Sequence, residues 1–206
     1  MNRKLNFDIA PANFELVRDQ IAALLKIELD GQDSLGDELI NNSEYVFDVY
    51  VERYTPIDRS ENIVINVGII RMTFDNQTPV TQRNGAEYYI DVYSQGTEKE
   101  GLDGCLHSAI KLQRTIGVIR SIIQSPYYDR LGFTNGIIER RSVNEVIFAS
   151  LKDEKDTINS RMARITLKVD IHEETRGIED FIAGTSWQTV VKLELTEKGY
   201  KFINVN

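Results

Sequence analysis

Between residues 86 and 173 the sequence changes its hydrophobic period twice, and those changes constrain the fold more than any single residue does. Residues 86–94 alternate with period two, Tyr88, Ile90 and Val92 against Tyr89, Asp91 and Tyr93, as a half-buried strand must. A charged link, 95–101, leads into 102–125, where apolar residues recur at the three- and four-residue steps of a helix until Pro126 stops it. Period two then returns over 136–148 and 163–171, on either side of a charged turn made by Lys152, Asp153, Glu154, Lys155 and Asp156. Ala163, Ile165, Leu167, Val169 and Ile171 alternate with Arg164, Thr166, Lys168, Asp170 and His172, the cleanest strand pattern in the chain. A strand, a long helix and a hairpin in succession imply a sheet with a helix packed across it.

The central helix is apolar on two sides. Leu102, Cys105, Ala109, Leu112, Ile116, Ile119 and Ile123 fall within about 100° of arc at 100° per residue and are the expected core face. Lys111, Thr115, Val118 and Ile122 form a mixed stripe on the far side. A second apolar stripe must be covered by more of the chain or by a partner. The expectation is that these four residues pack against a neighbouring subunit and that the Lys152–Asp156 turn reaches a neighbour as well.

The rest of the chain fits the same plan. Pro11 stands near a helix start, and Phe14, Val17, Ile21, Leu24 and Leu25 repeat at helical spacing up to Gly31, with Leu16, Ala23 and Ile27 on the opposite side. After a polar stretch, 32–43, the spans 45–54 and 62–74 read as strands, and with 86–94 they predict an antiparallel meander. Residues 127–133 read as an aromatic cap on the central helix. Trp187, Thr189, Val191, Leu193 and Leu195 line a sixth strand, and 200–205 adds a short edge. The predicted fold is therefore a single α+β domain over 1–206, a largely antiparallel sheet of about six strands packed with two main helices.

The search for chemistry is negative. Gly96 and Gly101 have the spacing of a phosphate-binding loop, but Leu102 and Asp103 stand where lysine and serine or threonine are required. Cys105 and His107 diverge by about 200° on a helix, so they cannot share a metal, and Cys105 reads as a small core residue. His172 reads as a solvated imidazole. The acidic run 170–180 lacks the order of a calcium loop. No nucleophile motif occurs. With 24 basic against 32 acidic residues the formal charge is −8, which disfavours sequence-independent binding to nucleic acid or anionic membranes. No enzyme, cofactor, metal site or membrane span is expected. The single cysteine and the lack of a leader pattern suit a cytoplasmic product. An enzymatic or small-molecule-binding reading would need a pocket lined by Tyr88, Tyr93 and Tyr127, and a regulatory reading would need a partner at an exposed sheet edge.

The order of a leading helix, three strands ending in Tyr89-Ile90-Asp91-Val92-Tyr93, a long helix, Ile137-Ile138-Glu139-Arg140-Arg141 and a hairpin returning through Ala163-Arg164-Ile165-Thr166-Leu167-Lys168-Val169 resembles the tail terminator, or tail completion, proteins of long-tailed bacteriophages. The resemblance spans about residues 10–172. It implies a structural protein of the virion tail or neck, assembled in the host cytoplasm, without catalysis. It also implies a homohexameric ring that caps the tail tube, meets the tube protein on one side and a head connector or neck protein on the other, and lets DNA pass without specific binding. The strands after residue 187 extend beyond the smaller members of that family, so another neck or baseplate component is the alternative.

Overall fold

The computed structural model describes residues 11–35, 45–55, 61–75, 81–98, 103–133, 136–150, 159–174, 191–196 and 199–204. Two helices, α1 (Asn13–Leu35) and α2 (Gly104–Gln124), share one hydrophobic core with one face of a mixed sheet. Five strands make the body of that sheet: β1 (Phe47–Val51), β2 (Ile63–Asp75), β3 (Thr81–Gly96), β4 (Ile138–Ser150) and β5 (Asn159–Glu174), in the order β4-β5-β3-β2-β1. A C-terminal hairpin, β6 (Val191–Thr196) and β7 (Gly199–Asn204), continues past β1 through Tyr50↔Lys201 and Val51↔Tyr200. The class is α+β with two main helices, as predicted, while the count of six strands is not met: five carry the body and the hairpin adds two. Trp187 and Thr189 lie outside the described residues.

The antiparallel meander is also corrected. β1 and β2 run parallel, from Phe47↔Ile63 to Val51↔Val67. Parallel neighbours need a crossover, usually a helix; here residues 52–62 make it. The chain turns out of β1 at Glu52, whose φ of 49° is the left-handed conformation that non-glycine residues seldom adopt. That turn ends the strand at Val51, ahead of Pro56. Glu52 is held in place by its own carboxylate, which accepts from the Ile69 amide at 3.0 Å and the Tyr89 hydroxyl at 3.2 Å. Asn66, in the middle of β2, then bonds the crossover backbone as a strand would: its Oδ1 accepts from the Arg53 amide at 2.8 Å and its Nδ2 donates to the Arg53 carbonyl at 2.7 Å.

The remaining pairings are antiparallel, with bulges in β2 near Ile70 and in β4 near Glu139 and Asn144. β3 is bonded on both sides and begins at Thr81, ahead of the predicted start at residue 86; a ladder on each side outweighs weak local propensity. In the same way α1 runs through Gly31 to Leu35. The core is the expected alternating set, Ile63, Ile65 and Val67 on β2, Tyr88, Ile90 and Val92 on β3, Ala163 to Ile171 on β5, all without exposure, closed by Val17, Ile21 and Leu25 of α1.

Candidate functional site

Three surfaces were candidates: the far stripe of α2, the uncovered sheet face and the β4–β5 hairpin. Each is built differently.

The far stripe of α2 is largely interior. Lys111 is 4 % exposed, Thr115 1 % and Ile122 7 %, while Val118 is half-buried against the same core. The helix is rolled from the expected orientation, so Cys105 and Ala109 are half-buried and Ser108 and Lys111 take their places inside. Glycines set the roll. A Cβ on Gly96 would come within 2.1 Å of the Gly104 carbonyl, and one on Gly104 within 2.1 Å of the Asn159 side chain. Such close contact presses the start of α2 against the end of β3, where polar groups find partners. Lys111 donates to the Gln95 carbonyl at 3.1 Å and to Asn62 Oδ1, and Ser94 Oγ donates to the Ser108 carbonyl at 2.9 Å. Gly96, the first glycine of the phosphate-loop spacing, thus serves backbone packing, while Gly101 lies outside the described residues. The Cys105 thiol donates to Asn159 Oδ1 at 3.0 Å, and His107 Nδ1 lies 3.1 Å from the Thr97 carbonyl. Lys111, Thr115 and Ile122 are therefore covered by their own chain and Val118 only in part; Lys152, Asp153, Glu154, Lys155 and Asp156 lie outside the described residues.

The sheet face away from the helices is polar and mostly buried. Arg53 and Glu61, at the two ends of the crossover, form a bidentate pair at 2.7 and 2.8 Å with side-chain exposures of 0 % and 7 %. The guanidinium stacks over Tyr50, 4.5 Å from the ring centre, and the Tyr50 hydroxyl donates to the same carboxylate at 2.9 Å. One strand over, Arg164 grips both oxygens of Asp91 at 2.6 and 2.7 Å and stacks on Tyr89 at 4.8 Å. Tyr89 in turn lies on Gly68, where a Cβ would meet its ring within 2.2 Å. Burial, reinforced by the carboxylates of Glu52 and Asp91, pushes the phenols of Tyr89 and Tyr93 up to about 12. Arg53 with Glu61 and Arg164 with Asp91 are each matched by a partner of opposite sign, which is the arrangement a buried ion pair needs to be tolerated. Among the described residues this face brings together no set of unpaired polar groups that would bind or activate a substrate.

The three tyrosines proposed as a pocket do not meet. Tyr88 is buried on the helix-covered face and donates to the Phe14 carbonyl at 2.9 Å, Tyr93 is on the opposite face, and Tyr127 is 86 % exposed just past the end of α2. Of the expected aromatic cap, Leu131 and Phe133 are buried and Tyr128 donates to Glu28 of α1, while Tyr127 points outward.

The hairpin carries exposed apolar surface at its edge. Within the sheet order β4 is an edge, and near the hairpin's far end Ile147 and Phe148 are 51 % and 56 % exposed, one on each face. Between the hairpin and α2 lies an open groove of about 130 Å³, lined by Ala109, Leu112, Gln113, Phe148, Ala149 and Arg161. Ligand sites for small molecules run to roughly 300–1,000 Å³. The base of the hairpin is fixed to α2 by Arg141, which donates to the Ile123 carbonyl at 2.6 Å, the Ser125 carbonyl at 2.7 Å and the Asp129 carbonyl. A cation is favourable at a helix C-terminus, where carbonyls lack partners. The role of Arg141 was not foreseen, although a lone Arg-Arg pair following a helix stop is a signal that could have suggested it. His172, half-exposed, stands 3.5 Å from Glu139 across the two strands.

Among the described residues no group of three His, Cys, Asp or Glu side chains could hold a metal, and no helix is long and apolar enough to cross a membrane. No protein-family model matches the chain, and no curated protein matches it.

Proposed function

We propose that this chain is a self-associating structural protein without catalytic activity, working in a phage tail or neck as a ring, in the hexameric form that the resemblance implies. In that role it would cap the tail tube and join it to a head connector or neck protein. The observation that carries the reading is the edge strand β4, where Ile147 and Phe148 project from opposite faces of a strand whose outer side pairs with no other strand among the described residues. The charges and bulges of β4 lie between Glu139 and Glu145; the end of the strand from Val146 to Ser150 carries no charge, and an exposed edge segment of this kind is a template for another chain. Supporting the reading, the buried ionisable groups of the outer face are consumed by one another. The acidic balance of the chain suits a wall past which DNA slides without sticking.

The test is particle mass by light scattering, with electron micrographs of the purified protein alone and mixed with tail tubes. Rings, or tubes capped at one end, are the expected result. A persistent monomer that leaves the tubes uncapped would overturn the proposal. The same edge favours a second reading, a regulatory subunit that adds β4 to the sheet of an unrelated partner. A stable one-to-one heterodimer recovered with that partner would support it over the ring.

A further inference from the structure

We propose that the solvent side of α2, centred on Gly117, receives helix α1 of a second copy. This deepens the self-association reading and rests on it. The first observation is the glycine itself. Gly117 lies in the middle of a 21-residue helix, where glycine costs about 1 kcal/mol against alanine, and a Cβ there would meet nothing within 4 Å. Nothing among the described residues calls for it. A missing side chain on an exposed helix lets another backbone come close. One turn later Ser121 folds its hydroxyl back onto the Gly117 carbonyl at 3.0 Å, which keeps the surface low there too.

The second observation is charge, and it selects the occupant. α2 contains Lys111, Arg114 and Arg120 and no carboxylate, a net of +3 in a chain of formal charge −8. Lys111 is turned inward, but Arg114 and Arg120 are exposed beside Gly117. Arg114 has a distant contact with the Tyr45 hydroxyl, at 3.4 Å, and Arg120 makes no hydrogen bond or ion pair among the described residues. α1 is the opposite case: Glu15, Asp19, Glu28, Asp30 and Asp33 against Arg18 and Lys26, a net of −3. The pairs Arg18–Asp19 and Lys26–Asp30 are satisfied locally, and the excess remains acidic.

Shape agrees with charge. On α1, Leu16 and Ile27 are 37 % and 46 % exposed; on α2, Leu106 is 50 % exposed and Gly117 is open. Each pair is eleven residues apart, three turns, so each lines one side of its helix at a separation of about 17 Å. One apolar side chain of α1 can then sit over Gly117 while the other meets Leu106, with carboxylates flanking Arg114 and Arg120.

Three variants and the wild type, followed by sedimentation and by circular dichroism, test the contact. Gly117→Leu fills the open surface and improves helix propensity, so its melting temperature is expected to hold or rise while association weakens roughly tenfold or more. Gly117→Ala adds a single methyl to the contact and should weaken association by less than Gly117→Leu does. Chains carrying Gly117→Cys, mixed with chains carrying Ile27→Cys, both on a Cys105→Ser background, should form a disulfide between copies under mild oxidation. If the wild type assembles and Gly117→Leu assembles equally, with no crosslink to position 27, this contact is wrong and self-association proceeds through another surface. If the wild type is a monomer at all concentrations, the self-association reading falls and takes this one with it.

Discussion

Val67, Ile90 and Ile165 pair across β2, β3 and β5 on the helix-covered face, none of them exposed. One residue back along β2, and one on along β3 and back along β5, Asn66, Asp91 and Arg164 pair in the same way on the other face, with Asn66 and Asp91 each 3 % exposed. The first is held by apolar area throughout; the second has only a small apolar cluster, Tyr50, Val64 and Tyr93 with Met162. Around that cluster the second face is held by specific pairs: Arg53 with Glu61, Arg164 with Asp91, Asn66 with the Arg53 backbone. An apolar face loses energy in proportion to the volume removed. A paired polar face loses most when one member goes and the other is left behind.

That contrast gives the largest expected effect. Glu61→Ala strands a fully buried guanidinium and should cost about 3–5 kcal/mol. Ile165→Val, on the apolar face, should cost about 0.5–1.5 kcal/mol. Removing both partners, Arg53→Met with Glu61→Leu, should return most of the loss, since apolar replacement of a buried pair is often neutral or stabilising. Urea denaturation midpoints of the four proteins measure this. The comparison breaks if Glu61→Ala costs no more than Ile165→Val.

The second expectation is an alkaline one. The phenols of Tyr89 and Tyr93 titrate at about 12 in the folded chain against 10.0 for an ordinary tyrosine, because burial, then neighbouring carboxylate charge, disfavours the phenolate. A raised acid pKa means that between those values the unfolded chain has given up protons the native one still holds. Stability from this source is therefore fully present below about pH 10 and falls as the pH rises toward 12. Melting curves at about pH 8 and about pH 11 should show the decline, and Tyr93→Phe should shallow it. A slope unchanged by that substitution would place the alkaline sensitivity elsewhere.

The same contrast explains what could be read in advance. Apolar alternation is a strong signal, so the strands of the helix-covered face, both helices and the β4–β5 hairpin were legible from residues such as Ile63, Ile90 and Ile165. Strand direction was not. The parallel step from β1 to β2 depends on a left-handed Glu52 and on Asn66 bonding to Arg53, and an asparagine inside an apolar run looks like an interruption until its two partners are known. The roll of α2 escaped for a related reason: Lys111 and Thr115 look like surface residues, and only the approach of Gly96 to Gly104 brings them inside. Of the candidate contact residues, the stripe was legible as apolar but not as interior. Gly117 carried a signal of a different kind, a glycine that no turn or contact in the subunit explains.

The smallest expected effect tests a place where the helix-covered face breaks its own rule. Thr115 is 1 % exposed and its Oγ1 has no hydrogen-bond partner, whereas the hydroxyls of Ser94 and Ser108, on either side of the same contact, both donate to carbonyls. An unsatisfied buried hydroxyl costs roughly 1–3 kcal/mol, offset in part by its methyl group, which packs as an apolar residue would. Valine has nearly the same shape without the polar atom and loses a little helix propensity. Thr115→Val should therefore hold or raise stability by up to about 1 kcal/mol, a shift of a few degrees in melting temperature. Because Thr115 is interior, assembly should be unaffected, which separates it from Gly117→Leu, where stability holds and assembly fails. A clear loss of stability in Thr115→Val would mean that the hydroxyl is bonded after all, and the helix-covered face would then be as dependent on paired polar groups at its rim as the outer face is throughout.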